Sequence, residues 1–266
     1  MKAMIMAAGL GTRLRPWTLE HPKALVPVGG VPMLERVIVR LRDEGFDYIV
    51  VNVHHFADQI VDFLASRDFG VEVRISDESG LLLDTGGAIV KAASMLIERD
   101  DEPFLVHNVD ILSNAPLRQL IERQKQSERG ILLLTSGRNS TRKLVFNPAG
   151  ELCGWHRIDN AQYRPDGFRP APSDSEEAFS GIYVFDSDAL RSLCDYSRRI
   201  GKEAFPIMDY FMEMAKSAGV AKGAAHGSDL PEVSIGRYFL EDLRLIDIGR
   251  PETLNEARNL FDHSRV

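Results

Sequence analysis

The chain has 266 residues, of which 44% are hydrophobic and 27% charged. That composition supports one large core and excludes low-complexity, fibrous and disordered classes. A net charge of −7 without a strong basic patch argues against nucleic acid or an anionic membrane as partner. The two cysteines, Cys153 and Cys194, make neither a zinc pattern nor a disulfide framework and suit a reducing cytoplasm. The start of the chain has the pattern of a strand, not of a signal peptide or membrane span.

Ala3–Ala7 is an apolar run that predicts a buried first strand, followed by a glycine-rich loop. Met33–Glu44 has helical spacing, with Leu34, Val37, Ile38 and Leu41 on one face, and Gly45 stops it. Tyr48–Val53 is nearly continuous and β-branched, the pattern of a buried parallel strand. A helix over His55–Ser66, a strand at Val71–Ile75, a helix over Gly86–Arg99, a strand at Phe104–His107, a helix over Leu117–Glu128 and a strand at Ile131–Thr135 follow. From about residue 140 the pattern changes. Asn147–Gly150 reads as a hairpin turn between Lys143–Phe146 and Glu151–Trp155, and Arg164–Ser175 as a mobile loop. Alternation resumes with a strand at Ala178–Phe185, a helix over Met208–Ala218, a strand at Leu243–Ile248 and a helix over Pro251–Phe261.

Strand–helix alternation predicts an α/β domain over residues 1–266: a doubly wound, mostly parallel central sheet with helices on both faces, right-handed crossovers and a small β-hairpin insertion. Ligands in such sheets bind beyond the carboxyl ends of the strands. The glycine loop and Asn108-Val109-Asp110 both follow strands there, which brings them towards one crevice.

The most informative stretch is Met6-Ala-Ala-Gly-Leu-Gly-Thr-Arg-Leu-Arg-Pro16, followed by Pro22-Lys-Ala-Leu-Val-Pro27. Small residues allow close approach, backbone N–H groups meet phosphate oxygens, and Arg13, Arg15 and Lys23 add positive charge beside them. The one Gly-Lys, Gly201-Lys202, is followed by Glu203, so no P-loop exists; Leu14 stands where a dinucleotide fingerprint needs its third glycine. This string resembles the sugar-1-phosphate nucleotidylyltransferases, whose signature is Ala-Ala-Gly-x-Gly-Thr-Arg-Leu-x-Pro and then Pro-Lys-x-Leu-x-Pro. Every fixed position is present between Ala7 and Pro27. The resemblance implies a Rossmann-like nucleotidyltransferase fold in which Ala7, Ala8, Gly9, Gly11 and Thr12 wrap a nucleoside triphosphate while Arg13 and Lys23 hold its phosphates. It divides the chain into a nucleotide-binding half, about 1–138, and a sugar-binding half, about 139–266.

Nucleotidylyl transfer needs carboxylates for Mg²⁺ as well as phosphate-binding groups. Asp110 is the first candidate, at the end of a buried strand; the family's glycine at the preceding position is Val109 here. Asp110 also reads as a turn or capping aspartate. Asp247 is the second: it interrupts an apolar strand, where burial demands compensation, and Ile246-Asp-Ile-Gly-Arg-Pro251 matches a family segment. An aspartate facing solvent on an edge strand is the plainer reading, and the resemblance is what pairs the two as metal ligands. Leu83-Asp-Thr-Gly-Gly-Ala-Ile89 is a third matching segment, with Gly86 and Gly87 opening a helix so that their amides face a ligand; the resemblance sets Thr85 and Gly86 beside base and sugar. Gly181, inside a strand, reads as a bulge or a close approach; the resemblance makes it, with Asn108, a candidate sugar contact. The Glu-Lys-Pro of many hexose 1-phosphate members is absent, leaving Arg142, Lys143 and Arg157 as replacement cations.

The missing Glu-Lys-Pro points to a compact subgroup, and the chain resembles the N-acetylmuramic acid 1-phosphate uridylyltransferases. It is expected to be a cytoplasmic monomer or small homo-oligomer using UTP, an N-acetylated amino sugar 1-phosphate and Mg²⁺ to make a cell-wall or polysaccharide precursor. Mannose- or heptose-1-phosphate guanylyltransferase, phosphocholine cytidylyltransferase and an inactive subunit that senses nucleotide sugars are the alternatives. His54 and His55 are expected at the surface or a helix start, and Trp17 and Trp155 in packing or at the pocket.

Overall fold

The structure is a computed structural model, describing residues 1–98, 101–218 and 233–262. In chain order its strands and helices are β1 (Lys2–Met6), β2 (Pro27–Val28), β3 (Val31–Pro32), α1 (Met33–Asp43), β4 (Tyr48–Val53), α2 (Ala57–Ala65), β5 (Glu72–Asp77), α3 (Asp84–Glu98), β6 (Phe104–Asn108), β7 (Ile111–Ser113) and α4 (Leu117–Lys125). They continue with β8 (Ile131–Ser136), β9 (Arg142–Phe146), β10 (Leu152–Arg157), β11 (Gln162–Arg164), β12 (Ser175–Phe185), α5 (Ser187–Ile200), α6 (Ile207–Ala218), β13 (Ile235–Phe239), β14 (Leu245–Asp247) and α7 (Pro251–Asp262).

The central sheet runs β5-β4-β1-β6-β12-β8-β13. β4, β1, β6 and β5 pair in parallel, β12 runs against both β6 and β8, and β13 is parallel to β8. Six of these seven strands therefore share one direction, and the predicted mostly parallel sheet holds with β12 as the exception. Every residue of β4 and β8 is buried, as expected of strands covered on both faces. The two sides of β1 feed different cores. Met4 packs with α3, α5 and α6, whereas Ala3 and Ile5 pack with α1, α2 and α4.

β12 is long enough to leave the main sheet: Ser175–Glu177 pair with β9, which begins the β9–β10–β11 insertion. The hairpin foreseen between residues 143 and 155 is this unit, and both ends of the predicted 164–175 loop belong to strands. The pattern reading passed over two elements. α5 opens on Asp186, whose side chain accepts the Ala189 N–H at 2.7 Å, and ends on left-handed Gly201. β13 is a short segment, Ile-Gly-Arg-Tyr-Phe, without the alternation that marks a strand. Among the described residues no helix is long and apolar enough to cross a membrane.

A third, small core joins Leu14, Val26, Val28 and Met33 to Ile248, Leu254 and Ala257. It draws α7 and the end of β14 onto the glycine loop, and the Arg258 Nε–H donates to the Pro27 carbonyl at 3.3 Å. Residues more than two hundred positions apart thereby meet at the sheet's carboxyl edge.

Candidate active site

The glycine loop leaves β1 at Met6, beside Asn52 and Asn108 on the neighbouring strands. Gly11 sits at φ 60° and starts a tight turn over Thr12–Leu14. Its carbonyl accepts the Thr18 hydroxyl at 3.0 Å. A Cβ there would lie 2.8 Å from Lys23 Cβ and 2.9 Å from Thr18 Cγ2, so only glycine fits, by conformation and by space. Gly9 is the opposite case: a Cβ on it would meet nothing within 4 Å, and it lines the cavity in front of the loop.

The carboxylates come from the two sides of a small ribbon. β14 pairs antiparallel with β7, which puts Asp247 opposite Ile111, and the Ile248 N–H donates to the Asp110 carbonyl at 2.9 Å. Lys23 Nζ forms an ion pair with Asp110 Oδ2, both side chains about seven-eighths buried. Asp247 Oδ1 accepts the Gly249 N–H at 2.8 Å. One point locates the rest: a Cβ built on Gly249 would be 2.8 Å from Asp247 Oδ1, 3.1 Å from Arg13 Nη2 and 3.2 Å from Lys23 Nζ. Arg13, Lys23, Asp110 and Asp247 thus surround one spot beside the glycine loop. Of the two readings of Asp247, the structure gives the one that faces solvent. Its strand lies on the two-stranded ribbon outside the main sheet, so its carboxylate is exposed at the crevice lip.

A cavity of about 310 Å³ is lined by the predicted Ala8, Gly9, Lys23, Thr85, Asn108 and Asp110. Asn52, Glu78, Leu82 and Asp84 line it too; of these the sequence had marked Asp84, within the Leu83–Ile89 segment. Asn52 Oδ1 accepts the Ala7 N–H at 2.6 Å and its Nδ2 donates to Glu78 Oε1 at 2.8 Å. Glu78 also accepts the Leu83 N–H at 3.3 Å, and burial holds its pKa above the usual carboxylate range. A polar pair on the ends of adjacent strands was the available signal. Ala7, buried and with its amide committed to Asn52, supports the loop from beneath, and Thr12 stands exposed at the lip.

Gly86 is a correction. The Gly86 and Gly87 N–H groups both donate to the Phe205 carbonyl, at 2.9 and 3.3 Å, so they do not face a ligand. Cβ atoms at these positions would lie 2.3 Å from Phe205 Cε2 and 2.0 Å from the Glu203 carbonyl oxygen. These glycines seat the chain before α6 against α3. Thr85 joins the same seam through its hydroxyl, which accepts the Ile207 N–H at 2.8 Å.

A second cavity, about 530 Å³, adjoins the first at Asn108 and is lined also by Asp247, Gly181, Trp155, Arg138 and Lys143. Gly181, at φ 77°, lies where the β12–β8 register shifts, and a Cβ on it would be 2.7 Å from Asn108 Nδ2. It is a bulge that makes room for Asn108. His54 and His55 reach the Glu78 and Thr18 carbonyls at 2.6 and 3.3 Å, and Trp17 packs against His21. Among the described residues no cluster of three or more His, Cys, Asp or Glu could hold a metal ion. The adjacent Asp110 and Asp247 nevertheless suit Mg²⁺, which binds through one or two carboxylates and takes its other ligands from phosphates and water.

Fold and site together define an α/β protein with a loop-lined crevice at the carboxyl edge of its sheet. The chain belongs to the nucleotidyl transferase family, whose model matches residues 2–261. It is 35% identical over 207 residues to mannose-1-phosphate guanylyltransferase 1 of Arabidopsis thaliana, covering 77% of this chain and 55% of the relative. It is 42% identical over 111 residues to N-acetylmuramate alpha-1-phosphate uridylyltransferase of Caulobacter vibrioides, covering 41% of this chain and 45% of that protein. The chain spans about half the length of the curated relatives it matches. In fold it is similar to HddC from Yersinia pseudotuberculosis complexed with GMP-PN, with a TM-score of 0.68, 20% identity and 98% of this chain and 99% of that chain covered.

Proposed function

We propose that the chain transfers a nucleoside monophosphate from a nucleoside triphosphate to a sugar 1-phosphate, releasing pyrophosphate. The observation that carries this reading is the meeting of Arg13, Lys23, Asp110 and Asp247 beside the glycine loop. A phosphate oxygen of the acceptor attacks the α-phosphorus in line with the departing pyrophosphate, so the protein's work is positioning and charge neutralisation. The loop from Ala8 to Thr12 lies along the triphosphate. Arg13 stabilises charge on the leaving pyrophosphate, and Lys23 exchanges its Asp110 partner for the α-phosphate. Asp110 and Asp247 would hold Mg²⁺, which when bound would supply neutralising charge for the phosphates. Thr85, Asn108 and Gly181 bound the space for base and sugar, and the nucleotide and acceptor halves divide near residue 138.

The preferred pair is UTP with an N-acetylated amino sugar 1-phosphate resembling N-acetylmuramic acid 1-phosphate, supported by the 42% identity to the uridylyltransferase. GTP with mannose 1-phosphate is the second reading, favoured by the longer match to the guanylyltransferase. In either case we place the protein in the cytoplasm, as a monomer or small homo-oligomer. The test is a pyrophosphate-release assay over four triphosphates and a panel of sugar 1-phosphates, with and without Mg²⁺. UTP with the amino sugar phosphate should be fastest and chelation should abolish release. GTP with mannose 1-phosphate fastest would establish the second reading, and no product from any pair would favour a non-catalytic sensor of nucleotide sugars.

A further inference from the structure

The acceptor side of the crevice contains a guanidinium that, among the described residues, no carboxylate pairs with. Arg138 follows β8 by two residues and lines the second cavity. Its Nη2 donates to the Phe179 carbonyl at 2.7 Å. Its Nε is buried without an acceptor, and among the described residues Arg138 makes no ion pair. Leaving such a donor unmet is costly, and a partly desolvated charge adds to that cost. Burial lowers its proton affinity, which the charge on Asp247 partly restores.

The other cations of this cavity are committed or in water. Arg157 is held by Asp159 and Arg164 by Asp209, each at 2.7 Å. Lys143 donates to the backbone carbonyl of Arg138 itself at 2.8 Å, and Arg142 is exposed. Arg138 alone among them combines a half-buried guanidinium, an unmet Nε donor and a place in the cavity that Asp247 also lines. A planar guanidinium matches phosphate geometry with two parallel hydrogen bonds.

We infer that Arg138 is the cation that takes the acceptor's phosphate, in preference to Arg142, Lys143 or Arg157. The inference rests on the nucleotidylyl-transfer reading for the identity of the acceptor. Calorimetric titration of the full chain, with a non-hydrolysable triphosphate saturating the nucleotide cavity, tests it. Mannose 1-phosphate, N-acetylglucosamine 1-phosphate and inorganic phosphate are the probes. Arg138→Gln should weaken phosphate binding at least about tenfold, Arg138→Lys should recover part of it, and Arg142→Gln should change it less than about twofold. In turnover, KM for the sugar phosphate should rise while KM for the triphosphate stays within about twofold. Wild-type binding of none of the probes, unchanged binding by Arg138→Gln, or an equal loss in Arg142→Gln would overturn the assignment. A wild-type chain that binds a sugar phosphate through Arg138 yet turns over no pair would defeat the reaction reading and leave the anion site standing.

Discussion

Two glycines of the same loop separate folding from ligand binding. Gly11→Ala must hold a side chain at φ 60° and place its Cβ 2.8 Å from Lys23 Cβ and 2.9 Å from Thr18 Cγ2. The left-handed backbone costs about 1–2 kcal/mol and the overpacking about 1–3 kcal/mol more, offset by under 1 kcal/mol of unfolded-chain entropy. For a chain of this length that is a fall in Tm of roughly 5–15 °C. Lys23 must also shift, so turnover falls with stability. Gly9→Ala meets nothing within 4 Å, and its Tm should stay within about 2 °C of wild type. Its methyl group enters the cavity, so KM for the triphosphate should rise about tenfold or more. Scanning calorimetry and the pyrophosphate assay read both effects. Equal losses of Tm in the two variants, or normal turnover by a folded Gly9→Ala, would refute the division of labour assigned to this loop.

Three further outcomes are expected. Asp110→Asn and Asp247→Asn should each lower turnover by about 10³-fold or more while melting near wild type, and added Mg²⁺ should not restore either; activity and melting curves check this. Gly87→Ala should cost about 3 kcal/mol or more in chemical denaturation, because its Cβ would sit 2.0 Å from the Glu203 carbonyl oxygen. His107 is buried and its pKa is held down to about 4 from an ordinary 6.5 by desolvation. The unfolded chain therefore takes up this proton first, so the stability linked to neutral His107 is present above pH 6.5 and is lost as pH falls towards 4. Comparing denaturation at pH 7.5 and 4.5, His107→Gln should remove about 2–3 kcal/mol of the acid-induced loss; an unchanged difference would contradict the assignment.

Much of the fold was legible because its signals are local. Continuous apolar runs at Tyr48–Val53 and Ile131–Thr135 mark strands covered on both faces, and the spacing of Leu34, Val37, Ile38 and Leu41 marks one face of α1. The reversed direction of β12 was not legible, since the same residues pack equally well in either orientation when both faces are buried. Gly86 shows the corresponding limit at the site. Two glycines at a helix start suit an anion or close packing alike, and the approach of Phe205, more than a hundred residues later, decides for packing.

The amino-acid sequence alone determined the loop and its charges. Gly11, Arg13 and Lys23 act within one short segment, where backbone conformation and spacing are set by nearest neighbours. It also placed Asp110 at the end of a buried strand, since β6 is recognisable from its own apolar residues. Only the tertiary structure decided that Asp247 is exposed on a separate ribbon opposite Ile111, that Asn52 and Glu78 brace the loop, and that Arg138 is a half-buried cation in the cavity that Asp247 also lines. Those facts depend on strand register and on the packing of α7 against the loop, interactions between segments far apart in the chain that no local pattern encodes.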